Sequence, residues 1–147
     1  MRHLVLTAKP IFQHHHLLPL SLIKRRQIGI YLARMEQFGI RLTDRATNCQ
    51  WLPANEATAF AVGHAMHRGP HPRYTDVVAH RVERIRQRGE DNAAAVARLR
   101  RLQRAMARLL TGVGPRNMQL NRRDPMRCFA DYSYLDDALT RMFSAAE

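Results

Sequence analysis

The sequence predicts a small α+β protein, mostly helical, organised as a single domain over residues 1–147. Three observations carry that expectation. Apolar residues recur at helical spacing through most of the chain, while short apolar runs cut by prolines suit a few brief strands. Six of the eight histidines fall in two separate segments, as if two distant stretches build one site. At 147 residues and 46% hydrophobic composition, the chain can bury one real core and is too apolar to be disordered.

Taken in order, His3 to Leu6 and Ile11 to Phe12 are short apolar runs divided by Lys9-Pro10. They are expected as two small strands, or a strand and a loop, leading into His14-His15-His16. Pro19 closes that segment. From Leu20 to Phe38 the pattern is helical, with Ile23, Ile28, Tyr31, Leu32 and Met35 on one side and Gly39 at the stop. Ile40-Arg41-Leu42 is expected as a short extended piece ending in Thr43-Asp44. Asn48 to Pro53 reads as a turn entering a brief strand that proline cuts off. Asn55 to Met66 is a predicted helix with Asn55 as its N-cap, and Gly69-Pro70 breaks it. Tyr74 to Gln87 resumes helix, its stripe Val78, Val82 and Ile85, with Arg81, Arg84 and Arg88 outside it. Asn92 to Leu110 carries the strongest pattern: Leu99, Leu102, Met106 and Leu109 make a seam, and Arg98, Arg101, Arg104 and Arg108 form much of the other side. Gly112 to Pro115 ends it. Asn117 to Arg127 is polar and poorly patterned, and Tyr134 to Phe143 is a short C-terminal helix.

The charge balance narrows the partners. Against 12 Asp+Glu stand 24 Lys+Arg, a net +12, and only Lys9 and Lys24 are lysines. An arginine-dominated excess favours planar, bidentate contact with phosphate, so nucleic acid is the expected partner. Cys49 and Cys128 are far apart and match no ligand spacing, as expected of idle thiols in a reducing compartment. No apolar run approaches the ~18 residues a membrane span needs, and Met1 to Leu6 lacks a signal-peptide core. The expected location is cytoplasmic, or outside the cell by a non-classical route, and no delivery domain is read in the chain.

Neutral imidazole ligates metals, and its ordinary pKa near ~6.5 suits proton transfer. In a strand, His14 and His16 would share one face and His15 the other, although at a strand's end adjacent residues can border one cavity. Spacing leaves open which of the three are functional. His67 and His71 have i, i+4 spacing, yet Gly69-Pro70 interrupts any helix between them, and His64 with His67 could share the last turn before it. The bland alternative makes His64 a partly buried helix residue and the other two turn residues. Glu56, Glu83, Glu90 and Asp91 sit among arginines and read as solvated pairs. Trp51 is expected as a core anchor behind the site, with base stacking the sharper alternative. Tyr74 is expected to pack beneath a helix start.

Three ordered motifs, His15-His16-Leu17-Leu18-Pro19, Asn48-Cys49-Gln50-Trp51-Leu52-Pro53 and His67-Arg68-Gly69-Pro70-His71-Pro72-Arg73-Tyr74, together resemble the AHH family of the HNH/endonuclease VII superfamily. The resemblance spans roughly residues 12 to 86. It departs at His14, where a small residue usually heads the histidine pair, and at Cys49, where glycine usually follows the asparagine. It implies a ββα-metal core over residues 1–88 with a helical insertion; residues 89–147, outside the resemblance, are expected as a helical extension. It further implies His16 as general base, His15, His67 and His71 as ligands of one divalent ion, and Asn48 as the residue fixing the strand and the catalytic histidine. The implied function is metal-dependent endonuclease cleavage of DNA, or of RNA. Zinc, nickel, manganese or magnesium would be the ion, and imidazole donors favour a transition metal over magnesium. Arg68 and Arg73 could clamp phosphate, and Arg101, Arg104 and Arg108 could meet nucleic acid along their helix. Family members often serve as toxin modules, which makes an immunity protein a partner the resemblance implies. Two rivals stand beside this reading. One is a non-catalytic nucleic-acid binder on a degenerate nuclease fold, against which the intact histidine set argues. The other is a structural zinc module, for which neither cysteine has the spacing.

Overall fold

The computed structural model describes residues 11–113, 139–141 and 143. Its first strand, β1 (Phe12–His16), contains the histidine run instead of leading into it, and the expected strand at His3 to Leu6 lies outside the described residues. The second strand, β2 (Cys49–Pro53), pairs with β1 antiparallel, His14 opposite Trp51, His15 opposite Gln50 and His16 opposite Cys49. Alternation then gives the sheet two faces. Gln13, His15, Gln50 and Leu52 share one, and His14, His16, Trp51 and Cys49 share the other. His15 and Leu52 are fully buried on the first face, whereas Trp51 is 57% exposed on the second. The expectation of Trp51 as a core anchor is therefore overturned: the register puts it on the outward face.

Between the strands lies a helical insertion. A 3-10 turn at Leu20–Lys24 precedes α1 (Arg26–Glu36), so the single helix expected from Leu20 to Phe38 is broken at Arg25, whose backbone is extended. Gly29 permits that break, because a Cβ there would run into the carbonyl oxygen of Ile23. Ile28, Leu32 and Met35 bury one side of α1, while Ile23, expected in the same stripe, is exposed. Gly39 ends the segment at φ 90°. The extended piece expected at Ile40 to Leu42 is a turn, anchored by the buried Ile40. It leads to the single helical turn α2 (Arg45–Asn48), whose N-cap Asp44 accepts from the amide of Ala46 at 2.9 Å.

After β2, α3 (Glu56–Val62) begins at Asn55, whose side chain accepts from Thr58 N at 2.9 Å, as expected of an N-cap. It ends sooner than periodicity predicts, because Gly63 adopts a left-handed conformation at φ 71°. His64 to His67 thus lie beyond the helix. There the amide of His67 donates to Pro53 O at 2.8 Å, tying the second histidine segment to the end of β2. The helix α4 (Pro72–Gln87) starts with proline at its first position and buries Tyr74, Val77, Val78 and Val82. The last long helix, α5 (Asn92–Arg108), is capped by Asp91 and buries Leu99, Leu102 and Met106 as its pattern predicts. It runs into a wider turn at Leu109–Val113. Of the expected C-terminal helix, Leu139 to Arg141 and Phe143 are described and helical, while Asn117 to Arg127 lie outside the described residues.

One hydrophobic cluster runs from Leu17 and Leu18 through α1, β2 and α4 to Leu99, Leu102, Met106, Leu109 and Leu139. No described helix is long and apolar enough to cross a membrane. Since α5 supplies a wall of the same core that α4 and β2 occupy, a chain cut after Arg88 would expose that core to water. Burying a leucine or methionine side chain contributes about 1.5–3 kcal/mol, so losing four or five of them removes an amount comparable to the whole usual margin of stability. Residues 1–88 produced alone should lack a cooperative thermal transition followed by circular dichroism; a sharp transition in that fragment would show that residues 89–147 are a separable unit.

Candidate metal centre

The buried face of β1 meets the loop before α4. Nitrogen atoms of His15, His67 and His71 all lie within 4.8 Å of one another. The Nε2 atoms of His67 and His71 are 3.2 Å apart. Two nitrogens on a tetrahedral ion, with bonds of about 2.0–2.1 Å, stand roughly 3.3 Å apart, so this pair suits one shared ion. His67 and His71 converge without a helix between them. Gly69 at φ 72° and Pro70 fold the intervening chain back, and His71 becomes the residue that precedes α4.

The polar atoms of this cluster also fit an ion. Both ring nitrogens of His15 and the Nδ1 of His71 are buried with no hydrogen-bond partner among the described residues. Any tautomer of His15 carries one N–H and one lone pair, so two unmet groups in one buried ring are costly. An ion would take the lone pair. His67 is oriented differently: its Nδ1–H donates to Oε1 of Gln13 at 3.2 Å, which leaves the Nε2 lone pair facing the centre. Tyr74 forms the floor, its ring edge-on to His15 at 4.5 Å between centroids and its hydroxyl donating to Leu17 O at 2.9 Å.

Electrostatics favours the neutral, ligating form of every member. Burial, then the neighbouring His71, His67 and His16, holds His15 well below the ordinary histidine value. Burial, followed by His67, lowers His71 to about 4 from 6.5, and burial lowers His67. His16 is lowered too, by burial first and then by His14 and the guanidinium of Arg45. It is half-buried and lines an open cleft of about 530 Å³ together with His14, His67, His71 and Arg25. The arrangement thus holds a nitrogen triad with His15 buried and His67 and His71 half-buried and, one residue along the strand from His15, a neutral imidazole that opens to solvent.

The remaining site residues are placed as follows. Asn48 is buried, and its side chain hydrogen-bonds Leu18, Leu42 and Gln103 rather than a histidine ring. Arg68 and Arg73 are exposed beside the loop and do not line the cleft, whereas Arg25 does, ion-paired with Asp76. On α5, Arg101 lies over the ring of Phe143 at 4.9 Å, and Arg104 and Arg108 are exposed. His14 stands outside the triad, against Trp51. His64 is half-buried, its Nδ1 without a hydrogen-bond partner among the described residues, and is likewise no part of the triad. Gln13 and Arg45 are the functional neighbours that sequence reasoning missed. Gln13 was within reach, since it lies two residues before His15 and so on the same strand face. Arg45 comes to His16 only through the fold of the insertion.

Comparison with known proteins adds one finding. A model of a nuclease family of the HNH/ENDO VII superfamily with conserved AHH matches residues 4–107, which takes in α5 as well as the three motifs. No curated protein and no solved structure matches the chain.

The lowered histidines make stability pH-dependent in a definite direction. Unfolded, these rings take up protons near 6.5; folded, His71 does so only near about 4. Between those values the unfolded chain binds more protons, so stability is full above pH 6.5 and is lost as pH falls towards about 4. Chelator-treated protein should therefore show a Tm that drops steadily across that window, and added zinc should raise the Tm above it. A Tm that is flat with pH and indifferent to zinc would show that the triad is not a desolvated ligand set.

Proposed function

The chain belongs to the AHH family of nucleases in the HNH/endonuclease VII superfamily, and from that premise we propose that it is a metal-dependent endonuclease hydrolysing phosphodiester bonds of DNA. The observation that carries this reading is the convergence of His15, His67 and His71 beside a cleft onto which His16 opens. In this reading the triad holds one divalent ion through three imidazole nitrogens. Such a ligand set suits zinc, nickel or another nitrogen-preferring transition metal better than magnesium, which prefers oxygen. When bound, the ion supplies a Lewis acid for the phosphoryl oxygen and charge stabilisation for the leaving 3′-oxygen.

The chain's own residues do the rest. His16, neutral at physiological pH, accepts the proton of the attacking water as general base. It need not touch the ion, and its place outside the triad suits that role. Gln13 fixes the tautomer and angle of His67. Asn48 is a positioning residue: its carbonyl accepts from Leu17 N at 2.8 Å and its amide brackets Leu18, so the chain directly after His16 is held on both sides. Arg25, at the cleft wall, supplies positive charge near the phosphate path. Arg68, Arg73, Arg101, Arg104 and Arg108 act outside the cleft, meeting phosphates farther along the substrate.

Plasmid nicking by the purified protein should require a divalent ion and stop on chelation. His16→Ala should slow cleavage by about 10²–10⁴-fold while retaining the metal. His15→Ala should lose both metal and cleavage, and His14→Ala should keep its metal. An active His15→Ala protein beside a metal-free His14→Ala protein would shift the functional pair by one residue and overturn this assignment.

The arginines of α5 make a separate forecast. Replacing Arg104 and Arg108 with glutamine should weaken DNA binding and lower the slope of log affinity against log salt by roughly 1 for each phosphate that an arginine no longer neutralises. An unaltered slope would mean that α5 faces away from the substrate.

A further inference from the structure

Trp51 is the chain's one tryptophan, and it is 57% exposed although its neighbour Leu52 is fully buried. An indole left open to water in the middle of a strand is unusual, because burial of so large a ring is favourable. Its cross-strand partner is His14, whose ring stands at 85° to it, so no parallel ring caps the indole. Trp51, Leu20, Thr43 and Arg45 line a second cleft of about 530 Å³ with His14 and His16. His14, His16 and Leu20 also line the cleft at the triad, so the two hollows meet along the outer face of β1. The half-exposed His16 therefore stands between a candidate ion on one side and an open aromatic face on the other.

We propose that Trp51, with Leu20 and Arg45, forms a subsite that stacks one unpaired nucleobase next to the scissile phosphate. The proposal rests on the nuclease reading of the same cleft. Leu20, 41% exposed, offers a second apolar surface to the base, and Arg45 offers a cation to the phosphate of the same nucleotide. Complementarity favours this occupant: a chain of net charge +12, with arginine beside the aromatic ring, suits a polyanion that carries flat rings. The geometry also selects among nucleic acids. In regular duplex each base is covered above and below by its neighbours, so an indole reaches only a base that has left the stack. The subsite therefore specifies single-stranded nucleic acid, or duplex opened at the point of cutting. It also gives His14 a purpose where the family usually has a small residue, since His14 sets the attitude of the indole from across the ladder.

A single tryptophan makes contact directly readable. The experiment uses the full chain carrying His16→Ala, loaded with zinc, so that bound substrate is not cut. An unlabelled single-stranded oligonucleotide should quench tryptophan emission, while heparin, which carries charge without bases, should bind and leave the emission unchanged. Duplex of the same sequence should quench less than the single strand. Trp51→Ala should weaken single-strand binding, measured by anisotropy of a labelled oligonucleotide, by about 5- to 100-fold, and Trp51→Phe should retain most of it. Heparin affinity should be the same in all three proteins. Should Trp51→Ala fail to fold, quenching in the protein that keeps Trp51 decides the matter. An oligonucleotide that binds by anisotropy without quenching overturns the subsite and leaves the nuclease reading intact, and so does heparin that quenches equally. Quenching as strong with duplex as with the single strand overturns the unpaired-base requirement. Failure of the native protein to bind or cut any nucleic acid overturns both readings together.

Discussion

The side-chain amide of Asn48 is the contact on which the rest of the structure depends. It is fully buried, and its whole hydrogen-bonding capacity is used. The Oδ1 accepts from Leu18 N at 2.8 Å and from Gln103 Nε2 at 3.0 Å, while the Nδ2 donates to Leu18 O at 2.9 Å and Leu42 O at 2.8 Å. Four segments are thereby joined: the chain leaving β1, the insertion, the start of β2 and the middle of α5. Aspartate lacks the donors and leucine lacks everything, so each would strand buried backbone groups at about 1–3 kcal/mol apiece. The insertion is what makes such a clamp necessary. Two strands joined by a tight turn hold their register through the turn, but β1 and β2 are separated by two helices and must be fastened by other means. The residue that fastens them sits immediately before β2, and its grip, by backbone carbonyl on Leu17 and by side chain on Leu18, falls directly after His16.

Strand alternation then divides the labour between adjacent histidines. His15 points into the core, against Tyr74 and the loop that carries His67 and His71, where burial keeps it unprotonated. His16 points outward, where it can meet water and substrate. In the proposed reading a ligand needs desolvation and rigidity, whereas a base needs access, and neighbouring positions on a pleated strand would meet both demands without a bend in the chain. Burying imidazole nitrogens of His15 and His71 with no hydrogen-bond partner among the described residues is expensive, and the surrounding apolar packing must offset it. Tyr74 contributes most visibly, since it closes the floor of the triad and satisfies the carbonyl of Leu17 with the same side chain.

Much of this was legible in the residues, for identifiable reasons. The seam of α5, the N-cap at Asn55 and the proline that ends β2 are local signals, and local signals survive folding. The two histidine segments were legible because imidazole has few other uses in such density. What escaped the sequence is what depends on register or on a single backbone angle. Trp51 reads as core by type, and only its pairing with His14, across the whole insertion, turns it outward. Gly63 ends α3 early through one left-handed residue inside an otherwise helical pattern. The i, i+4 spacing of His67 and His71 suggests a helix that Gly69 and Pro70 forbid, yet the loop those residues make brings the rings together all the same. Arg45 was invisible as a neighbour of His16 because the contact is made by an insertion whose path no periodicity describes.

The arginines illustrate a different limit on what composition can say. A surplus of twelve positive charges predicts attraction to polyanions, but it does not say which cations meet them. Several are engaged within the protein. Arg98 holds Glu90 through two contacts of 2.6 and 2.8 Å, Arg86 grips Glu83 on the same helix, and Arg81 is buried with its guanidinium donating to Thr140 at 2.9 Å. Arg100 reaches Gly39 O and Gln103, and so braces the very residue that supports Asn48. The helix that reads as a basic face in sequence is therefore partly a structural member, with Arg100 tying α5 to Gly39 beyond α1 and Arg98 tying it to Glu90 in the segment before it. In the proposed nuclease reading, the charge nearest the candidate centre sits elsewhere: Arg25 at the cleft wall, itself paired with Asp76, and Arg45 near His16 both belong to the insertion. Long-range attraction can be spread over the whole surface, but in that reading a phosphate beside the base would need a cation held in place, and among the described residues the arginines lining the clefts at His16 are Arg25 and Arg45 of the folded insertion.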